Sequence, residues 1–307
     1  MKTLTQPIKI HGGKNYLAQR IIDLMPARCL EPNKPSPADK GWLHYVEPYF
    51  GGGSVLLQMD PRGISEVAND IDGDLMQFWR ALQNPSDFKK FQRKVEAIPF
   101  GHQPFFETKA RLAKVSDFMD GQTDAFFQSS FDGPVEKAIA FFVCARQSLA
   151  GRREDFSPLT RNRTRRGMNE QASAWLNAID GLADVHARLR RVVILNRLAV
   201  DVIRQQDGPR TLFYLDPPYL QTTRTAKEVY GNEMTPADHE ELLKRLARIK
   251  GRFLLSGYPS SLYERYAKSH RWHVTKFLID NKAAGGKTKR KMTECVWTNY
   301  KPCQRSK

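Results

Sequence analysis

The sequence predicts an α/β fold: a doubly wound, mainly parallel sheet carrying an inserted, mainly helical second domain. Three observations predict it. Five short apolar, β-prone runs alternate with segments of helical spacing, the pattern of a sheet covered by helices. A glycine turn, Gly51-Gly52-Gly53, follows the first run, and a polar turn, Asp216-Pro217-Pro218-Tyr219, follows the fourth; open α/β sheets bind ligands at such carboxyl ends. Between about residues 78 and 190 the alternation stops and a stretch rich in Phe and Arg replaces it. The 307 residues are enough for one sizeable core, assigned to 1–77 and 191–307, plus that insertion, assigned to 78–190.

The elements follow in order. Lys14 to Met25 places Leu17, Ile21, Ile22 and Met25 at helical spacing and stops at Pro26, so a helix is expected there. The Pro-rich stretch Pro32 to Pro37 reads as a connection. Leu43 to Glu47 is the first strand, and the glycine turn leads into helix-compatible Leu56-Leu57-Gln58-Met59. Ile64 to Asn69 is the second strand and ends in Asp70-Ile71-Asp72-Gly73-Asp74, an acid-rich helix start. In the insertion, Phe126, Phe127, Phe131, Phe141 and Phe142 read as a helical core. Val192 to Asn196, Thr211 to Leu215 and Arg252 to Ser256 supply the remaining strands, and Thr235-Pro236 starts a helix with a capping Thr and a first-turn Pro. The polar loop Leu220 to Met234 sits where a lid with Tyr230 at a contact would lie.

Composition narrows the function classes. There are 49 Lys and Arg against 33 Asp and Glu, a formal charge of +16, which favours a polyphosphate partner. Arg152, Arg153, Arg161, Arg163, Arg165 and Arg166 fall in a loop-like stretch, preceded by Arg146; loops dense in arginine can read grooves. Lys282, Lys287, Lys289, Arg290 and Lys291 surround Gly285-Gly286 as a second basic loop suited to tracking phosphates. The dinucleotide pattern fails because Leu56 stands where the third glycine belongs, and a Walker loop fails at Ile8 and Asn15. Asp70, Asp72 and Asp74 alternate as in a calcium loop, but its sixth and twelfth positions are Leu75 and Ala81. Cys29, Cys144, Cys295 and Cys303 show no C-x-x-C spacing, and His270 and His273 have no cysteine pair, so no metal is expected. No apolar run reaches the ~18 residues of a membrane span and Met1 to Gly12 has no signal-like core, so the expected home is the cytoplasm.

The chemistry sits at Asp216-Pro217-Pro218-Tyr219. An exocyclic aromatic amine is a poor nucleophile because its lone pair is delocalised into the ring. A catalyst must hold both N–H groups and stabilise positive charge as the nitrogen becomes tetrahedral. Asp216 and the Pro217 carbonyl can accept those hydrogens. Pro217 and Pro218 stiffen the turn and donate nothing, and Tyr219 can stack on a base. A carboxylate preorganised in a dry site contributes ~3 kcal/mol to such a transition state.

His11-Gly12-Gly13-Lys14, Glu47 to Val55, Asn69 to Asp72, Asp216 to Tyr219 and the closing Arg290 to Tyr300, in that order, resemble the Dam-like adenine-specific DNA methyltransferases of the α group, the D12 class, over nearly the whole chain. The resemblance implies a Rossmann-like class I methyltransferase sheet with an inserted target-recognition domain. It implies S-adenosyl-L-methionine as donor, held by Tyr49, Phe50, Gly51 and Gly53, with Asp70 at the ribose, Lys14 at the methionine end or the active site, Asp201 beside the cofactor adenine and Asp216 at the methyl. The implied partner is double-stranded DNA, methylated by a monomer acting on the nucleoid of a bacterial cell or encoded by a phage, with a separate cognate restriction endonuclease as a further partner. Ile10-His11 departs from the family's aromatic and small pair. Arg146 to Arg153 sits where relatives carry a DNA-reading hairpin, yet lacks the Tyr and Asn of GATC-specific members. Two alternatives stay open: an RNA adenine methyltransferase, and a catalytically silent DNA-binding regulator on the same scaffold.

Overall fold

The computed structural model describes residues 4–10, 12–29, 41–116, 133–221, 233–280 and 291–302. Among them, seven strands form one sheet: β1 (His44–Glu47), β2 (Ser65–Asn69), β5 (Val192–Leu195), β6 (Thr211–Leu215), β7 (Arg252–Gly257), β8 (His273–Asp280) and β9 (Lys291–Thr298). Their order is β5-β2-β1-β6-β7-β9-β8. β1 pairs in parallel with β2 and β6, and β6 with β7. β9 is antiparallel to both β7 and β8. The five expected strands are all present within one residue at each end. The β8–β9 hairpin is additional. Its edge strand exposes Val274 and Leu278, which blurs the alternation by which a strand is read. The chain reverses its order of addition between β1 and β6, so their carboxyl ends form a topological switch point, where such sheets bind ligands.

The chain divides into two compact units. One comprises Met1–Asn15, Gly51–Gln58 and Asp72–Ile194, the other Tyr16–Phe50, Met59–Ile71 and Leu195–Lys307. The glycine turn and the N-terminal segment therefore belong with the mainly helical stretch.

The helical unit contains α2 (Gly73–Gln83), α3 (Pro85–Glu96), α4 (His102–Ser116), α5 (Pro134–Gln147), α6 (Glu170–Asp180) and α7 (Leu182–Leu189). Asp72 caps α2 by accepting from the amides of Asp74 and Leu75, which satisfies two donors that a helix start leaves without partners. Asn84 does the same for α3, with Pro85 following at the first position. Phe142 on α5 is fully buried and lies 5.9 Å from Phe78, 5.6 Å from Phe91 and 5.2 Å from Trp175, ring centre to ring centre. Phe141 joins Phe78 at 5.8 Å, so these two phenylalanines are core as expected; Phe126, Phe127 and Phe131 lie outside the described residues.

The sheet unit adds α1 (Ala18–Asp23), α8 (Ala199–Gln206), α9 (Pro236–Leu246) and α10 (Ser261–Ser269). α9 begins as expected: Thr235 and Asp238 form a reciprocal capping box with Pro236 in the first turn. Two expectations are corrected. The helix expected over Lys14 to Met25 is confined to Ala18–Asp23, because Leu17 at its start offers no side chain to cap the first amides. Leu56 to Gln58 form consecutive turns and Met59 a bend, rather than a helix. Val55, Leu56, Leu57 and Met59 are all buried and Pro61 follows, so the segment packs apolar groups on every side and ends before a second helical turn.

His44, on β1, places Nδ1 2.7 Å from Ser65 Oγ and Nε2 3.0 Å from Gln206 Oε1. Burial holds its imidazole below the ordinary 6.5, against the raising effect of Gln206. A depressed histidine disfavours the charged form in the folded state. The stability it carries is therefore full above about pH 6.5 and declines as pH falls toward the folded value. Acidifying from about pH 7.5 to about pH 5.5 should lower the thermal midpoint, and His44→Asn should lessen that drop; thermal scans at the two pH values check it.

Candidate active site

β6 is buried along its whole length and delivers Asp216, half-buried, at its carboxyl end. The turn that follows is held in place by Tyr219. Its ring is 6 % exposed and packs edge-on against Tyr258, with centres 4.7 Å apart. Its hydroxyl is 3.1 Å from Asp216 Oδ1 and also donates to Glu294 on β9. Burial, and then the charges of Asp216 and Glu294, push the Tyr219 phenol well above its ordinary range, so it stays protonated and remains a donor. Beneath the turn, Tyr214 Oη lies 3.2 Å from Ser256 Oγ. Glu294 escaped the sequence reading as a site residue. The signal was a single acid in the otherwise apolar run Cys295-Val296-Trp297.

At the adjoining strand ends the backbone is riveted by two asparagines to which the sequence reading gave no role of their own. Asn69, fully buried, donates from Nδ2 to the carbonyls of Pro48 and Arg197, at 2.9 and 3.0 Å. The Phe50 amide donates to the Asn69 carbonyl at 2.8 Å. Asn196 Nδ2 donates to the carbonyls of Asp70 and Ile71, at 2.8 and 3.1 Å. These bonds fix Tyr49, Phe50 and Asp70 in one neighbourhood. The Tyr49 phenol is raised by burial and then by the Asp70 carboxylate. Glu47, 1 % exposed, accepts from Tyr45 Oη at 2.7 Å. Asp201 lies in the first turn of α8, with its carboxylate 2.8 Å from Arg204 Nη2.

In the helical unit, Gly51 and Gly53 adopt φ of +50° and +68°, the left-handed region that glycine enters without a Cβ penalty. Among the described residues, its chain neighbours aside, no atom lies within 4 Å of the point where a Gly51 Cβ would stand, so the backbone there is open to a ligand. Trp79 Nε1 donates to the Gly51 carbonyl at 3.0 Å. Gln6, also missed in the sequence, ties the loop down: Ser54 Oγ donates to its Oε1 at 2.6 Å, and a Cβ on Gly52 would stand 2.8 Å from the same oxygen. Lys14 is buried and donates to the Gly12 carbonyl at 3.0 Å. The helical unit thus offers an open glycine backbone, and the sheet unit separately holds the Asp70 carboxylate beside the Tyr49 ring. Trp79→Phe removes the bond to Gly51 and should weaken donor affinity about five- to tenfold, one hydrogen bond's worth, as titration calorimetry would measure.

The arginines separate into two groups. Arg161, Arg163, Arg165 and Arg166 are exposed on or beside an antiparallel hairpin of β3 (Thr164–Arg165) and β4 (Met168–Asn169). Arg166 and Gly167 turn it with φ of +54° and +71°, the geometry of a two-residue hairpin loop. Arg163 and Arg165 share one carboxylate, Glu170, at 4.0 and 3.6 Å, which leaves the hairpin basic. Arg152 is exposed, and Arg153 lies over Phe141 and 3.6 Å from Asp72. Arg146 is turned inward instead. It donates to the Ala174 carbonyl at 2.6 Å, its Nε has no hydrogen-bond partner among the described residues, and burial pulls its pKa down to about 10. Tyr230, Lys287, Lys289 and Arg290, like His11, lie outside the described residues.

Among the described residues no group of three His, Cys, Asp or Glu side chains is placed to hold a metal ion, and no helix is long and apolar enough to cross a membrane. The chain resembles two curated proteins along much of its length. One is the type II methyltransferase M1.LlaDCHI of Lactococcus lactis subsp. cremoris, 24 % identical over 94 % of this chain and 93 % of that protein. The other is the type II methyltransferase M.MjaIII of Methanocaldococcus jannaschii, 22 % identical over 71 % of this chain and 70 % of that protein. The family model for D12 class N6 adenine-specific DNA methyltransferases matches residues 11–278, a span that runs from the glycine-lysine segment through the switch point and Asp216 to β8. A switch-point sheet ending in Asp-Pro-Pro-Tyr, an open glycine turn and that match lead to one conclusion: this chain belongs to the D12 class of N6 adenine-specific DNA methyltransferases.

Proposed function

We propose that the methyl donor is S-adenosylmethionine, and that the chain transfers its methyl to N6 of an adenine flipped out of double-stranded DNA. The observation that carries this reading is Asp216-Pro217-Pro218-Tyr219 at the carboxyl end of the central strand β6, beside the switch point. When bound, the donor supplies an electrophilic methyl carbon. The chain's own groups do the rest. Asp216 and the Pro217 carbonyl accept the two N6 hydrogens, orienting the lone pair and stabilising the charge that grows on nitrogen. As the nitrogen–carbon bond forms, the carbon–sulfur pair leaves with sulfur, and Asp216 is the acceptor nearest the proton that N6 gives up. Asp70 would hold ribose hydroxyls, Tyr49 and Phe50 would flank the nucleoside, Gly51 and Gly53 would admit the donor against the backbone, and Lys14 would serve the methionine end or the active site. Flipping is required because N6 cannot reach Asp216 from within a base stack.

Residues 78–190 would carry target recognition, with Arg152, Arg153, Arg161, Arg163, Arg165 and Arg166 along the duplex. Exposed arginines on a hairpin favour phosphate and groove contacts. A cognate restriction endonuclease acting separately fits this reading, as does action on the nucleoid. Single-molecule sequencing of genomic DNA from a methylation-free host expressing the chain should reveal N6-methyladenine in one sequence context. Unmodified DNA despite soluble protein that binds S-adenosylmethionine would move RNA to the front. Replacing Arg161, Arg163 and Arg165 together by alanine should reduce the slope of log affinity against log salt by up to ~0.9 for each phosphate left without its arginine. Fluorescence anisotropy on a duplex at several salt concentrations reads that slope.

A further inference from the structure

We propose that a cationic cleft lined by α3, α4 and α5 holds the phosphodiester backbone of duplex DNA, as a contact tract separate from the arginine hairpin. This role rests on reading duplex DNA as the substrate.

The cleft lies wholly within the helical unit and has a volume of about 680 Å³. Lys90, Arg93 and Lys94 of α3 line it together with Arg111 of α4. Residues three and four apart on a helix share a face, so the three α3 cations form a ridge, on a different face from the buried Phe88, Phe91 and Val95. All four cations are exposed. Lys94 pairs with Glu136 of α5, and among the described residues Lys90, Arg93 and Arg111 have no ion pair or hydrogen bond. Like charges one turn apart disfavour a helix, and one ion pair offsets that cost only in part. The cluster neither fills the core nor neutralises itself, so its charge is left for an external polyanion.

The rest of the lining says which polyanion. It is mainly apolar and includes Ile98 and Ile139. A nucleic-acid strand turns charged oxygens one way and the apolar faces of its deoxyriboses another, and so satisfies both parts of the cleft. Among the described residues no aromatic ring lines it, so it lacks the platform on which unpaired bases stack, and the backbone of a duplex is what it fits. Four residues of α3 rise ~6 Å and successive phosphates of one DNA strand advance ~3.4 Å along the axis, so the ridge meets two phosphates, with Arg111 available to a third. The cleft belongs to the same packed body as the hairpin. Trp175, six residues or ~9 Å along α6 from Asn169 at the end of β4, donates from Nε1 to the Ile98 carbonyl at 2.9 Å. That separation is well under one turn of B-DNA, ~34 Å, so a single duplex is long enough to meet both.

The test is the salt dependence of binding to a duplex that carries the methylated sequence context, read by fluorescence anisotropy on the full chain. Replacing Lys90, Arg93 and Arg111 together by alanine, all exposed and outside the core, should lower the slope of log affinity against log salt by ~0.9 for each phosphate released, up to ~2.7 for three. At ~0.1 M salt that is a loss of about eightfold in affinity for each contact. Lys89→Ala removes an exposed cation of the same helix that does not line the cleft and should leave the slope unchanged. Ethylation interference locates the contact: two or three phosphates whose ethylation blocks binding of the wild type should lose that effect in the triple variant. A triple variant with unchanged slope and unchanged ethylation pattern, or a slope lowered equally by Lys89→Ala, would overturn the cleft as a backbone site. Methylation by the wild type, and the slope change expected of the hairpin variant, would stand through that result. A wild-type chain that neither binds nor modifies duplex DNA would instead remove the reading on which the role of the cleft rests.

Discussion

Replacing Asp216 by alanine is expected to lower kcat for adenine methylation by about three orders of magnitude, with S-adenosylmethionine still bound. The argument is electrostatic. Asp216 sits half-buried at the end of a strand whose five preceding residues are buried, so its charge acts where little water screens it. Removing one preorganised group of this kind typically costs 10²- to 10³-fold, or ~3–4 kcal/mol. Asp216→Asn keeps the shape and one acceptor but not the charge, and about a hundredfold loss is expected. Single-turnover assays on duplex DNA, with donor binding measured separately, distinguish the two contributions. An alanine variant within tenfold of wild type would mean that Asp216 does not hold the amine.

The second large effect is on stability. Phe142→Ala should destabilise the helical unit by ~3–5 kcal/mol, the usual cost of emptying a buried phenylalanine site. Phe142 is fully buried and its ring meets Phe78, Phe91 and Trp175, from three different helices, so no single neighbour can move in to fill the space. With two compact units, unfolding need not be a single step. Hydrogen exchange at the amides of α2 and α5 is therefore the measurement to make, and their protection should fall together. Loss of protection confined to α5 would show that the aromatic contacts do not bind these helices into one cooperative unit.

Much of the site is local, and local features were legible. The strand end at Leu215 followed by Asp216-Pro217-Pro218, the glycine turn after Glu47 and the capping box at Thr235 are each specified within a few residues, by burial pattern, absent donors or side-chain reach. The helix expected from Leu56 was misread for a related reason. Its apolar residues satisfied helical spacing, but they are buried on all sides, and periodicity cannot tell a buried turn from a buried helix. Arg146 was grouped with its basic neighbours because charge in a sequence carries no direction. Only the packing of α5 against α6 turned it toward Ala174 while Arg161 to Arg166 stayed outside.

The sequence by itself determined the sheet's parallel strands, the place of the turn after β6 and the family, because these depend on which residues are neighbours along the chain. The tertiary structure decided which distant groups serve them. Gln6 meets the glycine loop, Asn69 and Asn196 hold the strand ends, and Glu294 reaches Tyr219 across two intervening strand pairings. Each is a hydrogen-bonding side chain whose partner lies at least twenty-one positions away along the chain. Spacing in a sequence encodes only contacts within a helix or a strand, so such pairings become definite only when the sheet order brings them together.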